Sequence, residues 1–409
     1  MKAVHISCNI SGGADIAARR LDEAMSGAGM DSHLLCREDL SISYGKIHFL
    51  RKCVNTFKRL CYAYRCSHIF SSYKVKGMWS DGSGLMSLCK HPLVQEADVV
   101  YLHWINLNSV SVEEIGRLLD SGKQVVWFMH DMWPITGGCH HSFECEAYQT
   151  HCNVCPMLTG KKKDLSYRVF ERKLKVLKNR ANLTVVSPSH WLAECAGKSS
   201  LFSNCRIEVI PNVIDTNKFA PFDRSLAKRI LHLPEDKKII LFGCNSGSEN
   251  FYKGWNYFEE SLRKTDLSGC EIAVFGHKGK DNNKLPVNIH YLGRINDEYP
   301  GLVLAYSASD VFVSPSIAEN FSLTLCESSS CGVPVVCFDV GGNSDIVLNR
   351  QTGYLARYRD SDDLAAGIRW VLNHPDPDEL SVAARRHIEE LCSHRVVLEK
   401  HKNLMDSFV

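Results

Sequence analysis

Two series of short, unbroken apolar runs rich in β-branched residues constrain this chain most. The first series is Ala3-Val4-His5-Ile6-Ser7, Val99-Val100-Tyr101-Leu102, Val125-Val126-Trp127-Phe128 and Leu183-Thr184-Val185-Val186. The second is Ile239-Ile240-Leu241-Phe242, Ile272-Ala273-Val274-Phe275, Asp310-Val311-Phe312-Val313 and Val335-Val336-Cys337-Phe338. Helical patterns separate the runs, as with Ala17, Ala18, Leu21, Ala24 and Met25 after the first. An unbroken apolar strand needs cover on both faces, and only a parallel sheet with helices on each side supplies it. The class is therefore α/β, with two doubly wound Rossmann-like domains facing a cleft at the carboxyl ends of their strands. Ile210-Pro211-Asn212-Val213-Ile214-Asp215, followed by Pro221, punctuates the chain between the series. The expected divisions are 1–206, 207–385 and a C-terminal helix at 386–409 that packs back on the first domain.

Composition narrows the function. The 409 residues carry 48 Lys+Arg against 46 Asp+Glu, a net charge of +2, and 44% hydrophobic residues. That excludes a disordered, collagen-like or coiled-coil chain and argues against a nucleic-acid binder. The N-terminus reads as no signal peptide, and no run approaches the ~18–20 apolar residues of a membrane span. The expectation is a cytoplasmic protein, or one peripheral on the inner membrane face. Residues 40–80 contain no acid, and Lys46, Arg51, Lys52, Lys58, Arg59, Arg65, Lys74 and Lys76 alternate there with aromatic and aliphatic residues. Such a surface at 46–76 can lie on anionic lipid; a solvated helix face is the other reading.

The densest chemistry is Ala318-Glu319-Asn320-Phe321-Ser322-Leu323-Thr324-Leu325-Cys326-Glu327, directly after the run ending at Pro315. Helical periodicity from Phe321 places Glu319 in the loop at a strand's carboxyl end. The amides of Asn320, Phe321 and Ser322 then form a first helical turn, which suits a phosphate. Glu327 falls about two turns further on. One carboxylate can accept from sugar hydroxyls and the other from a ribose; a capping acid and a helix-face acid are the bland alternative.

After Glu327 come a helix of small residues, then Gly332-Val333-Pro334-Val335-Val336, then Gly341-Gly342-Asn343 and Thr352-Gly353-Tyr354. This order resembles the C-terminal domain of the retaining family 4 glycosyltransferases, which have the GT-B fold. Their two Glu separated by seven residues match Glu319 and Glu327. Ile210–Asp215 and Val186-Ser187-Pro188-Ser189-His190-Trp191 also resemble that family. The resemblance implies that Gly12 and Gly13 form the glycine loop beside the diphosphate and acceptor. It implies that His130 faces the donor sugar and that Lys253 binds the donor diphosphate. Catalysis would then rest on His130, Lys253 and Glu319, and donor binding on Gly12, Gly13, Asn320, Phe321, Ser322 and Glu327. No cofactor is implied for catalysis. This chain departs from the pattern upstream of Lys253, where Cys244–Asn250 has no Arg and Tyr252 stands where a basic residue is common. Lys278, Arg294 or a helix N-terminus would compensate.

The 18 cysteines include four close together, Cys139, Cys145, Cys152 and Cys155, the last two in a Cys-Asn-Val-Cys knuckle. A four-thiolate structural zinc site is one reading, with His140 or His141 able to replace a cysteine; two disulfides and unrelated buried thiols are the others. The segment 132–158 resembles a Trp-Pro-x-Thr-Gly-Gly-Cys-His insertion found in some family 4 enzymes of bacterial surface-polysaccharide assembly. The expected activity is retaining transfer from a nucleotide-diphosphate sugar to a glycan or lipid-linked glycan acceptor. Sugar-nucleotide epimerisation, phosphorolysis on the same fold, and a catalytically weak nucleotide-sugar-binding scaffold are the alternatives.

Overall fold

The computed structural model describes residues 1–8, 12–36, 71–159, 162–243, 251–276, 287–295 and 300–409, with Leu285 and seven positions between 60 and 69. The segment 46–76, expected to meet lipid, lies largely outside the described residues. Among the described residues no helix is long and apolar enough to cross a membrane. The chain divides into two compact units, one of residues 1–210 with 400–409 and one of 211–399.

In the first unit six strands make one parallel sheet. They are β1 (Lys2–Ile6), β2 (Asp31–Leu35), β3 (Val99–Leu102), β4 (Gln124–Phe128), β5 (Leu183–Ser187) and β6 (Arg206–Val209), in the order β2-β1-β3-β4-β5-β6. All residues of β3 and β5 are buried, which is why their sequences are unbroken apolar runs apart from Thr184 and Ser187. Side chains alternate across a strand, so Val100, Leu102, Val125, Trp127 and Val185 fill the core on one face. Each buried aliphatic side chain of this kind contributes about 1.5–3 kcal/mol. The helices begin where short polar side chains can take up free amides: Ser111 accepts from Glu114, Asp164 from Ser166 and Tyr167, and Ser189 from Leu192. Because β6 pairs with β5, the first unit runs through residue 206 to Ile210. The last helix, His394–Asp406, returns residues 400–409 to this unit, where Tyr101 lies 3.3 Å from His401.

The second unit holds β7 (Lys238–Gly243), β8 (Cys270–Phe275), β9 (Ile289–Gly293), β10 (Val311–Ser314), β11 (Val335–Phe338) and β12 (Gly353–Ala356), again all parallel. Their order is β12-β11-β10-β7-β8-β9. Ile239, Leu241 and Phe312 enter one core, while Ile240, Phe242, Val311 and Val313 enter another. Both faces are thus covered. The chain leaves β7 in one direction across the sheet and returns beside it as β10. The crevice outside the carboxyl ends of β7 and β10 is the switch point where ligands bind in open α/β sheets.

Candidate functional site

Lys253 and Glu319 meet at that switch point. Lys253 ends a single helical turn, Phe251–Lys253, beyond β7, and Glu319 lies in the loop beyond β10. The ammonium donates to Glu319 Oε1 at 2.6 Å, with side chains 30% and 14% exposed. Gly254 makes this meeting possible. Its φ is +68°, and a Cβ there would lie 1.9 Å from the Pro315 carbonyl oxygen. Only glycine lets the turn carrying Lys253 rest on the backbone leading to Glu319. Ile317 N–H also donates to the Tyr252 carbonyl at 2.9 Å, pinning the two loops together.

The helix after Glu319 begins later than its periodicity predicts. It spans Leu323–Ser330, and Ser322 is its N-cap. The first-turn amides are therefore those of Leu323, Thr324 and Leu325, not those of Asn320, Phe321 and Ser322. Ser322 has extended dihedrals, so the helix begins only after it, and its hydroxyl pairs with Thr324 Oγ1 at 3.1 Å. Asn320 and Phe321 are buried in the entry loop. Glu327 sits in the second turn, buried, and accepts from the Tyr306 hydroxyl at 3.0 Å. Tyr306 had no signal in the sequence beyond an aromatic on a helix. Lys278, offered as a compensating cation, and the stretch 244–250 that lacks a basic residue both lie outside the described residues. Arg294 follows the edge strand β9, two strands away from β7.

The first unit gathers a different set at its strand ends. Gly12 caps the helix Gly13–Gly27, and its N–H donates to Asp15 Oδ2 at 3.1 Å. Asp15 also accepts from Ser7 Oγ at 2.5 Å, which fixes the turn after β1. A Cβ on Gly13 would meet nothing within 4 Å among the described residues.

His130, half-buried beyond β4, continues a row of imidazoles across adjacent strands. His5 Nδ1 lies 2.9 Å from His103 Nε2, and His103 Nδ1 lies 2.9 Å from His130 Nε2. Burial holds all three below the usual imidazole range, His5 at about 3 and His130 at about 4, so the row is neutral at neutral pH. His5 Nε2 is buried and finds no hydrogen-bond partner among the described residues. A lone pair left there costs less than an N–H left there. The proton therefore belongs on Nδ1 of each ring, and His130 presents Nδ1–H as its donor. Asp131 acts on His130 through its charge, which opposes the lowering by burial, while its hydrogen bonds go elsewhere. It accepts from Trp104 Nε1 at 2.7 Å, from the Trp133 amide at 2.8 Å, and pairs with His140 Nδ1 at 2.6 Å. That network and its N–H donors hold its carboxyl at about 2 despite burial.

These histidines make a pH prediction. The unfolded chain takes up protons near 6.5, whereas His130, His5 and His401 resist until about 4, 3 and 3. Their contribution to stability is complete above about 6.5 and is lost as the pH falls toward those lower values. Each can cost up to about 1.4 kcal/mol per pH unit in that window. Amide exchange in β1, β3 and β4, corrected for the intrinsic rate, is expected to quicken between pH 7 and 5. His401→Phe is expected to flatten that dependence; an unchanged slope would reject the assignment.

The four clustered cysteines are all unbridged. They line one cavity of about 20 Å³ with Gly137 and Ser166. Among the described residues no three His, Cys, Asp or Glu side chains are already placed to hold one metal ion.

Residues 223–387, which contain Lys253, Tyr306, Glu319 and Glu327, match the family model described as glycosyl transferases group 1. Both parallel-sheet units are Rossmann-like, and residues 223–387 of the second are similar to a group 1 glycosyl transferase domain. The chain is similar to WcaC of Escherichia coli K12, a candidate colanic acid biosynthesis glycosyl transferase, at 27% identity over 60% of this chain and 59% of that one. It is 32% identical to the D-inositol 3-phosphate glycosyltransferase of Geodermatophilus obscurus over 44% of this chain and 43% of that one. The chain thus spans about half the length of these curated relatives. Among solved structures it resembles sucrose-phosphate synthase from Thermosynechococcus elongatus, with a TM-score of 0.65, 18% identity, and 100% and 99% of the two chains covered. Anabaena HepE in complex with UDP-glucose gives a TM-score of 0.62 at 15% identity, with 100% of both chains covered.

Proposed function

We propose that this protein transfers a sugar, with retention, from a nucleotide-diphosphate donor to a hydroxyl of a glycan or lipid-linked glycan. The observation that carries the reading is the Lys253–Glu319 pair at the β7/β10 switch point, within the segment matching group 1 glycosyl transferases. The donor belongs to the second unit and the acceptor to the first. Lys253 sits where it can neutralise the diphosphate, and the helix beginning at Leu323 adds amides and a positive dipole end. Glu319, holding the ammonium in place, offers its other carboxylate oxygen to sugar hydroxyls. Glu327, oriented by Tyr306, is the acid assigned to the ribose.

In the step itself the acceptor oxygen bonds to the anomeric carbon as the carbon–phosphate oxygen bond breaks on the same face. The acceptor proton passes to the departing phosphate. Negative charge grows on that phosphate, and a preplaced cation stabilises the transition state more than the ground state. His130 contributes a neutral Nδ1–H donor toward the sugar and takes no proton in the reaction. UDP-glucose bound to Anabaena HepE makes uridine diphosphate sugars the first donors to try.

A panel of nucleotide sugars, scored by calorimetric binding and by donor hydrolysis, tests the reading. At least one donor is expected to bind and to release its nucleotide diphosphate. Binding of none would overturn it.

A further inference from the structure

We propose that Cys139, Cys145, Cys152 and Cys155 form a tetrathiolate zinc site that ties together the segment after β4. This lies beyond the transfer reaction and is independent of it. Three features of the first unit carry it.

The first is convergence. Four thiols from one short stretch line a single cavity whose volume, about 20 Å³, takes one water-sized occupant. Cys139, Cys152 and Cys155 are buried, and none of the four is bridged. The second is a donor aimed at sulfur. The Gly137 amide donates to Cys152 Sγ at 3.2 Å, the bond that supports a metal-bound thiolate. Gly137 reaches it only because it lacks a side chain; a Cβ would lie 2.4 Å from the Ser166 carbonyl oxygen and 2.8 Å from Cys152 Cβ.

The third is charge. Lys173 is fully buried beside these thiols. Its ammonium donates to the Trp133 and Thr136 carbonyls and lies 3.5 Å from the centre of the Trp133 ring. It forms no ion pair with a carboxylate among the described residues. Burial lowers its pKa to about 7, because a buried cation is costly unless anionic charge lies near it. Zinc with four thiolates is doubly negative and supplies that charge. Metal binding displaces the thiol protons and draws the sulfurs inward. All four positions are then filled by protein, so the ion is structural.

The test uses the full chain purified under reducing conditions without chelator. Elemental analysis is expected to find about one zinc per chain, lost in Cys152→Ser and in Cys155→Ser. Because those variants can fail to fold, cobalt exchanged into the wild type provides a second readout. Thiolate-to-cobalt charge-transfer bands of tetrahedral form are expected. Metal-free folded protein overturns the proposal, as do two disulfides on mass analysis or a cobalt spectrum without thiolate bands. Donor binding is scored in the same samples, so failure here leaves the transfer reading separately judged.

Discussion

Replacing Lys253 by Ala is expected to leave the chain folded and to lower the turnover of its best donor about 10²–10³-fold. The side chain is not part of either core of the second unit, so its loss opens no cavity there. The substitution removes the cation that faces the growing charge of the leaving phosphate. An interaction stronger in the transition state lowers kcat, whereas a merely structural lysine would leave kcat alone. Lys253→Arg keeps the charge and is expected to recover part of the rate, though its planar fork does not reproduce the point charge that Glu319 now holds at 2.6 Å. Glu319→Gln should be nearly as damaging, since it removes both the partner of Lys253 and a charged acceptor for sugar hydroxyls. Turnover in Lys253→Ala equal to wild type would remove the proposed role. Steady-state release of nucleotide diphosphate is the measurement.

Gly254→Ala is expected to be the most destabilising single methyl addition near the site. Two costs add. The residue has φ +68°, where an L side chain is strained, and the new Cβ would fall 1.9 Å from a backbone oxygen that cannot swing away. Left-handed strain and overpacking together amount to about 3 kcal/mol or more. The melting temperature should fall by about 5–10 °C. Gly269→Ala is the control, because Gly269 has φ +75° and nothing within 4 Å of its would-be Cβ. It isolates the backbone cost and should lose only about a third as much. Equal losses in the two variants would show that the contact with Pro315 is not what requires glycine. Relief of the clash must move either the Lys253 turn or the Glu319 loop, so Gly254→Ala should also lose donor turnover. Gly269→Ala should keep it.

Much of the site was legible because its chemistry sits in contiguous motifs. Glu319, Asn320, Ser322 and Glu327 fall within nine residues, and the strand before them is unmistakably apolar. The start of the helix was not legible. Apolar periodicity through Phe321 and Leu325 reads the same whether Ser322 is helical or caps the helix, and only the extended dihedrals decide. The imidazole row was equally hidden. His5, His103 and His130 belong to three strands far apart in sequence that the sheet order makes neighbours.

The strands divide along the same line. All eight runs read from the sequence are strands, and they occupy the inner positions of the two sheets. The four not read, β2, β6, β9 and β12, are the four edges. An inner parallel strand is covered on both faces and paired on both sides, so its sequence must be apolar throughout. An edge strand has one neighbour and exposed positions, so Asp31–Leu35, Arg206–Val209 and Ile289–Gly293 carry charged or polar residues that no local pattern marks as strand. The sequence by itself determined the fold class, the inner strands and the acidic pair. The tertiary structure alone decided that Lys253 reaches Glu319 across 66 residues and that four thiols share one cavity. Those meetings depend on strand order and on where glycine lets backbones touch, and neither is a property of any local run of residues.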